Sequence, residues 1–205
     1  MEREGIMKAD DNIHGGETME SNRFAVAGWL SITIAVLTLP SSFMHLMIDI
    51  KKMSQLIQVS TLLDLVILCL GIYVLLKLRS WLNETYDFHD VDSIILMIVI
   101  GNVVVMPMAV AARILNFGES YYYLIPVYCV IAALSVLTIV FSARFLRVDG
   151  DMRGLKKPIA YIGIAIAICF LTFILIPRGI VLGAAYNLLI GLVLLQRPAE
   201  ETGYV

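Results

Sequence analysis

Residues 142–158, SARFLRVDGDMRGLKKP, separate two long apolar runs and carry five of the chain's fifteen Lys and Arg residues. These five are Arg144, Arg147, Arg153, Lys156 and Lys157. Basic residues beside membrane spans stay on the cytoplasmic side, and this bias orients a multispanning protein. The five residues therefore predict that this loop faces the cytoplasm, and the side of every other loop follows from it.

The rest of the chain is unusually apolar. Of its 205 residues, 60% are hydrophobic and 16% are charged, whereas a soluble domain is closer to half apolar and a quarter charged. The apolar residues form six runs, at 24–48, 56–76, 93–115, 122–141, 159–176 and 179–195. A spanning helix needs about 20 apolar residues, and no run alternates as a barrel strand would. We therefore predict an all-α membrane protein in which residues 24–196 form a bundle of six transmembrane helices.

The distribution of charge predicts the orientation of this bundle. With the N-terminus inside, eleven of the fifteen basic residues lie on cytoplasmic segments and four on outer segments. Six spans then bring both termini to the cytoplasmic side. We expect a multi-pass protein of the cell membrane whose main surroundings are the lipid bilayer.

The two ends of the chain differ from the apolar middle. Residues 1–23 are polar and rich in Asp, Glu and Gly, which predicts disorder and no signal peptide. The codons of Gly15, Gly16 and Glu17 would resemble a bacterial ribosome-binding site, so we expect Met19 to be the natural start in a bacterial source. Residues 197–205 are predicted to be a short cytoplasmic tail.

Prolines mark irregular places in the predicted spans. Pro40 and Pro107 each remove a backbone donor and are expected to kink the first and third spans. Only Pro177 and Arg178 separate the last two runs. A single helix over 159–195 would be about 55 Å long, far more than a hydrocarbon core of about 30 Å. We therefore predict a tight hairpin that turns at Pro177 and Arg178.

The sixth run carries a pattern of small residues. Gly179, Gly183, Asn187 and Gly191 recur every four residues and so share one helix face. Small residues at this spacing allow two helices to approach closely. The three glycines are therefore a predicted packing face, either toward another helix of the chain or toward a second copy or a partner membrane subunit.

Asp64 is the predicted intramembrane carboxylate. It lies about 12 Å along the second span from its outer end. A carboxylate there costs about 2.5–3.5 kcal/mol, and each Leu, Ile or Val of the span returns about 0.3–0.6 kcal/mol. Such a group faces the bundle interior and is a functional candidate by default. From their depth, we predict a polar cluster of Asp64, Asn187 and Arg113, with Tyr186 and His45 as outer contributors.

Three functional hypotheses follow from this cluster. Asp64 can take part in moving a proton, an ion or a small solute, or it can sense a ligand. It can also serve only to hold helices together. In that case the protein is a non-catalytic membrane subunit or scaffold that packs with a partner through the sixth span.

Enzymatic and metal chemistry have no support in the sequence. No H-E-x-x-H, G-x-S-x-G or phosphate-binding glycine loop occurs, so we do not expect an enzyme. Cys69, Cys129 and Cys169 all fall inside apolar runs, where a free cysteine behaves as a small hydrophobe. We expect no disulfide, metal site, cofactor or nucleic-acid partner. The acidic loop around His89 (Asp87, Asp90, Asp92) lacks cation-binding spacing and is predicted to be solvated.

Overall fold

The computed structural model describes residues 4–51, 55–114, 121–150, 152–172 and 175–196, with side chains for 24–48, 56–111, 125–150, 152–172, 175 and 178–196. These residues contain six α-helices and no β-strand. The helices are α1 (Glu4–Lys51), α2 (Gln55–Tyr86), α3 (Asp92–Ile114), α4 (Tyr121–Phe145), α5 (Lys156–Leu171) and α6 (Ile176–Leu195), and a 3₁₀ turn (Met152–Gly154) precedes α5. The predicted all-α class is confirmed.

Five of the helices are long and apolar enough to cross a membrane. Their candidate spans are Phe24–Ile48, Leu56–Tyr86, Asp92–Ala111, Ile125–Phe145 and Arg178–Leu195. The chain is therefore a multi-pass membrane protein. The remaining helix, α5, has 16 residues and is about 24 Å long, which is shorter than the hydrocarbon core of about 30 Å.

Several helix boundaries differ from the apolar runs. The helix α2 extends to Tyr86, ten residues past the end of its apolar run at Leu76. Both α1 and α3 continue as single helices through Pro40 and Pro107, as spanning helices with proline can do. The helix α1 also includes residues 4–23, whose side chains lie outside the described residues. The disorder of this tail and the start at Met19 stay predictions.

The turn between α5 and α6 lies earlier than the sequence predicts. The helix α5 ends at Leu171 and α6 begins at Ile176, so Pro177 and Arg178 belong to the first turn of α6. Thr172 follows the last residue of α5, and its hydroxyl lies 3.0 and 3.1 Å from the carbonyls of Ile168 and Cys169, to which it can donate. Proline has no N–H and is favoured in the first turn of a helix, where that donor would be unpaired anyway.

The helices pack in a closed order around the bundle. Each helix packs against the next one along the chain, and α6 returns to pack against α1 in the most extensive of these interfaces. The interface between α2 and α3 is the least extensive among consecutive helices. Each helix therefore has its neighbours on two sides and leaves an apolar outer face for lipid.

The best-packed part of the bundle is the end at which α4 ends and α5 begins, called here the basic end. All six helices contribute to one buried apolar cluster, with Ala27, Leu82, Ile95, Phe145, Ile159 and Val193 among its members. The rings of Phe141 and Phe145 stack at 5.7 Å between centroids, and Trp81 meets Tyr86 edge to face at 5.1 Å. Val148 and Met152 of the α4–α5 loop are also buried in it. The opposite end is called the far end.

Candidate functional site

Helix α1 presents two polar side chains on one face just after Pro40. Ser41 and His45 are four residues apart and therefore lie on the same side of the helix. At 1.5 Å per residue, Ser41 lies about 25 Å and His45 about 32 Å along α1 from Phe24. They thus lie in the far half of the bundle, facing α2.

Asp64 of α2 meets both of these side chains. Its Oδ1 accepts a hydrogen bond from Ser41 Oγ at 2.7 Å. The Nε2 of His45 lies 3.2 Å from Oδ1 and 3.0 Å from Oδ2 of the same carboxylate. The His45 and Asp64 side chains are 26% and 22% exposed, respectively. The carboxylate is therefore held by two residues of α1 while part of the pair is still accessible.

This arrangement can exchange a proton at one place. When Asp64 is ionised, His45 Nε2 must carry the hydrogen that it directs at the carboxylate. A second proton, on the other ring nitrogen, would convert the contact into an ion pair between an imidazolium and the carboxylate. The pair, called here the His45–Asp64 pair, can therefore hold either no net charge or one negative charge.

Ser41 is not arranged as a nucleophile. In a Ser-His-Asp triad the histidine lies between the serine and the carboxylate and removes the serine proton. Here Asp64 lies between Ser41 and His45 and accepts from Ser41 directly. The hydroxyl of Ser41 therefore orients the carboxylate. That this chain is not an enzyme stays a prediction.

The other members of the predicted cluster have different described contacts. The side-chain amide of Asn187 donates to the backbone carbonyl of Gly183 in its own helix at 2.9 Å, and the backbone carbonyl of Asn187 accepts from the buried hydroxyl of Ser31 at 2.7 Å. Asn187 thus joins α6 to α1. The ring of Tyr186 packs beside Gly163 of α5. The side chain of Arg113 lies outside the described residues, so its predicted contact with Asp64 stays a prediction.

The three glycines of the predicted packing face of α6 have different surroundings. A Cβ on Gly191 would lie 2.7 Å from the carbonyl oxygen of Gly28 and 2.7 Å from Cγ1 of Ile32, so Gly191 packs directly on α1. A Cβ on Gly179 would lie 3.1 Å from Cβ of Cys169 in α5. Among the described residues, no atom would lie within 4 Å of a Cβ on Gly183. Two of the glycines therefore lie at contacts within the chain, and Gly183 faces space that no described residue fills.

Two of the five basic residues of this stretch bond backbone carbonyls at the basic end. Arg144 Nη1 donates to the carbonyl of Asp90 in the α2–α3 connection at 2.7 Å, and Lys156 Nζ donates to the carbonyl of Val148 in the α4–α5 loop at 2.9 Å. The side chains of Arg147, Arg153 and Lys157 are exposed. The last three are therefore the loop cations that are available to lipid headgroups.

An ion-pair network at the start of α3 was not predicted as such. Arg79 reaches Asp92 through Nε at 2.9 Å and donates from Nη2 at 3.1 Å. The Asn83 amide donates to both oxygens of Asp92 at 3.0 and 3.1 Å, and His89 Nδ1 lies 3.4 Å from Oδ2. Within the described part of the chain, no group of three or more His, Cys, Asp or Glu residues is placed to hold a metal ion. The network therefore links α2 to α3 without a cation site.

No protein-family model matches this chain, and neither a curated protein nor a solved structure matches it. The evidence for function is therefore the geometry of the described residues. Of the residues that the sequence singled out, Asp64 and His45 are brought together. Ser41 was missed, although its position four residues before His45 was a usable signal.

Proposed function

We propose that the chain crosses the cell membrane six times, with both termini in the cytoplasm and the basic end facing inward. The shared buried cluster supports six crossings. Ile159 of α5 and Val193 of α6 belong to the same cluster at the basic end, while the α5–α6 turn lies at the other end of both helices. Short as it is, α5 then has to carry the chain across most of the membrane. The charge count supports the inward orientation.

We propose that the protein moves a proton, an ion or a small solute, and that protonation of the His45–Asp64 pair is the step that drives it. The observation that carries this proposal is the contact of His45 Nε2 with both carboxylate oxygens, at 3.0 and 3.2 Å, in a partly accessible position. Burying a carboxylate inside a membrane domain costs free energy, and such residues commonly mark an ion or proton pathway.

The packing of the basic end favours a carrier over an open pore. Between the pair and the basic end, α2 contributes Val74 and Leu78 to the buried apolar cluster. A charge entering from the far end therefore meets a packed apolar region, where an unpaired charge is strongly disfavoured. Movement across the membrane would need a rearrangement of helices, as in carriers with alternating access.

The test is proton flux into liposomes that contain the full chain and an enclosed pH-sensitive dye. Under an imposed gradient, the parent should acidify the lumen faster than empty liposomes. Asp64→Asn and His45→Gln should reduce this flux at least tenfold, because neither variant can complete the protonation cycle. Ser41→Ala should reduce it less, since Ser41 only orients the carboxylate. Asp90→Asn is the matched control, because Asp90 is an exposed carboxylate at the basic end.

Two results would count against the proposal. One is a folded Asp64→Asn variant that moves protons like the parent. The other is a parent protein that shows no proton flux above that of empty liposomes, whichever solute is present. Each variant should elute as a single peak in size-exclusion chromatography. This control separates loss of folding from loss of transport.

The alternative is a non-catalytic subunit that packs with a partner through α6. The open space at Gly183 and the exposed side chains of Val181 and Leu188 favour it. Gly183→Leu should then abolish assembly with a second copy or a membrane partner, as measured by cross-linking in membranes. Gly71→Leu is the matched control, because Gly71 of α2 also has no atom within 4 Å of an added Cβ.

A further inference from the structure

A cavity of about 290 Å³ lies between α3, α4 and α5, apart from the His45–Asp64 pair. Its walls are formed by seven apolar side chains and three neutral polar ones. The polar members are Asn102, Ser135 and Thr138, and the apolar ones are Ile98, Val105, Ile131, Leu134, Ile166, Ala167 and Phe170. Its volume is at the lower end of the range of small-molecule pockets, about 300 Å³ and above.

The cavity lies near the middle of the membrane. Asn102 of α3, Ser135 of α4 and Ile166 of α5 are each ten residues from the end of their helix that lies at the basic end. Ten residues of helix span about 15 Å, which is half of a hydrocarbon core of about 30 Å. Three helices therefore place the same cavity at the same depth.

The polar edge of the cavity offers acceptors. Each of its three polar side chains donates a hydrogen bond of 2.8 Å to the backbone carbonyl four residues earlier in its own helix. These bonds use the hydroxyl hydrogens of Ser135 and Thr138 and one hydrogen of Asn102. The hydroxyl oxygens and the amide oxygen keep lone pairs for a ligand, and Asn102 keeps one amide hydrogen. Acceptors therefore outnumber the single remaining donor, so a ligand that donates a hydrogen bond is the best match.

We propose that this cavity binds a small, uncharged, mainly apolar molecule that carries one hydrogen-bond donor, such as an alcohol. None of the ten lining residues is ionisable, so a charged ligand would be buried there without a partner. A lipid is also a poor match. At the membrane centre it presents the ends of its acyl chains, which have no donor, while its headgroup lies about 15 Å away. The site does not depend on proton exchange at the His45–Asp64 pair.

The experiment uses a photoreactive octanol with a diazirine on its chain, applied to the full chain in liposomes. After illumination, peptide mass spectrometry should find the adducts on the lining residues of α3, α4 and α5. Excess hexan-1-ol should suppress these adducts, and hexane at the same membrane concentration should not. Ala167→Phe should reduce them at least tenfold because it fills the cavity from a position that is 1% exposed. Ala133→Phe, on the exposed face of α4, is the matched control and should label like the parent.

A second variant tests the donor and remains informative if Ala167→Phe does not fold. Ser135→Ala combined with Thr138→Val nearly keeps the volume but removes two acceptors. It should reduce labelling by the photoreactive octanol severalfold and leave labelling by a photoreactive octane unchanged. Adducts spread over lipid-facing residues such as Val103 and Val136 would overturn the site. Equal competition by hexane, or full labelling of the double variant, would overturn the proposed ligand class.

Discussion

At the scale of single residues, Gly183 and Gly191 belong to the same four-residue repeat of α6 but differ in how closely they are packed. We predict that Gly191→Ala lowers the free energy of unfolding by about 1–3 kcal/mol, the usual cost of overpacking a close contact. Its new Cβ would lie 2.7 Å from the backbone oxygen of Gly28, which cannot rotate away. We predict that Gly183→Ala is neutral or slightly stabilising, because alanine favours the helix by up to about 1 kcal/mol. Thermal unfolding in detergent measures both.

The reciprocal position provides a control for this pair. A Cβ on Gly28 would lie 2.9 Å from the carbonyl oxygen of Gly191, so Gly28→Ala should destabilise the protein in the same way. Equal melting temperatures for Gly191→Ala and Gly183→Ala would contradict the close packing of α1 on α6.

At the scale of elements, the connection from α2 to α3 depends on Asp92. Arg79 and Asn83 both donate hydrogen bonds to the Asp92 carboxylate, and His89 lies 3.4 Å from it. Asp92 is the first residue of α3. The ion pair with Arg79 needs an ionised carboxylate, so Asp92 stabilises the fold while it is charged and loses this contribution when it is protonated at low pH.

We predict that Asp92→Asn has a lower melting temperature than the parent at about pH 7, and that the difference disappears as pH falls below the ordinary aspartate range. The sign follows from the ion pair, since a protonated Asp92 no longer pairs with Arg79. Melting curves from about pH 7 to pH 3 test this. Asp90→Asn is the control and should follow the parent, because only the backbone carbonyl of Asp90 is used, by Arg144. A difference that persists unchanged to about pH 3 would contradict the prediction.

At the scale of the whole molecule, the six crossings and the inward basic end predict a labelling pattern. In a chain whose Cys69, Cys129 and Cys169 are replaced by serine, a membrane-impermeant thiol reagent added outside should label Gly118→Cys and not Asp151→Cys. Both positions lie outside the described residues. Permeabilised cells, in which both positions should react, are the control. Labelling of Asp151→Cys alone in intact cells would reverse the proposed orientation.

The sequence by itself determined the all-α class, the membrane environment and the position of Asp64 within an apolar run. These depend on the length of apolar runs and on the depth of a residue along a span, and both can be counted along the chain. What only the tertiary structure decided is the rotation of each helix about its axis and hence the partners of each side chain. Asn187 and His45 were both expected near Asp64. The Asn187 side chain instead bonds the backbone of its own helix at Gly183, while packing places His45 on the carboxylate. The short α5, the turn at Thr172 and the cavity at Asn102 likewise depend on how neighbouring helices fit together, which depth alone does not determine.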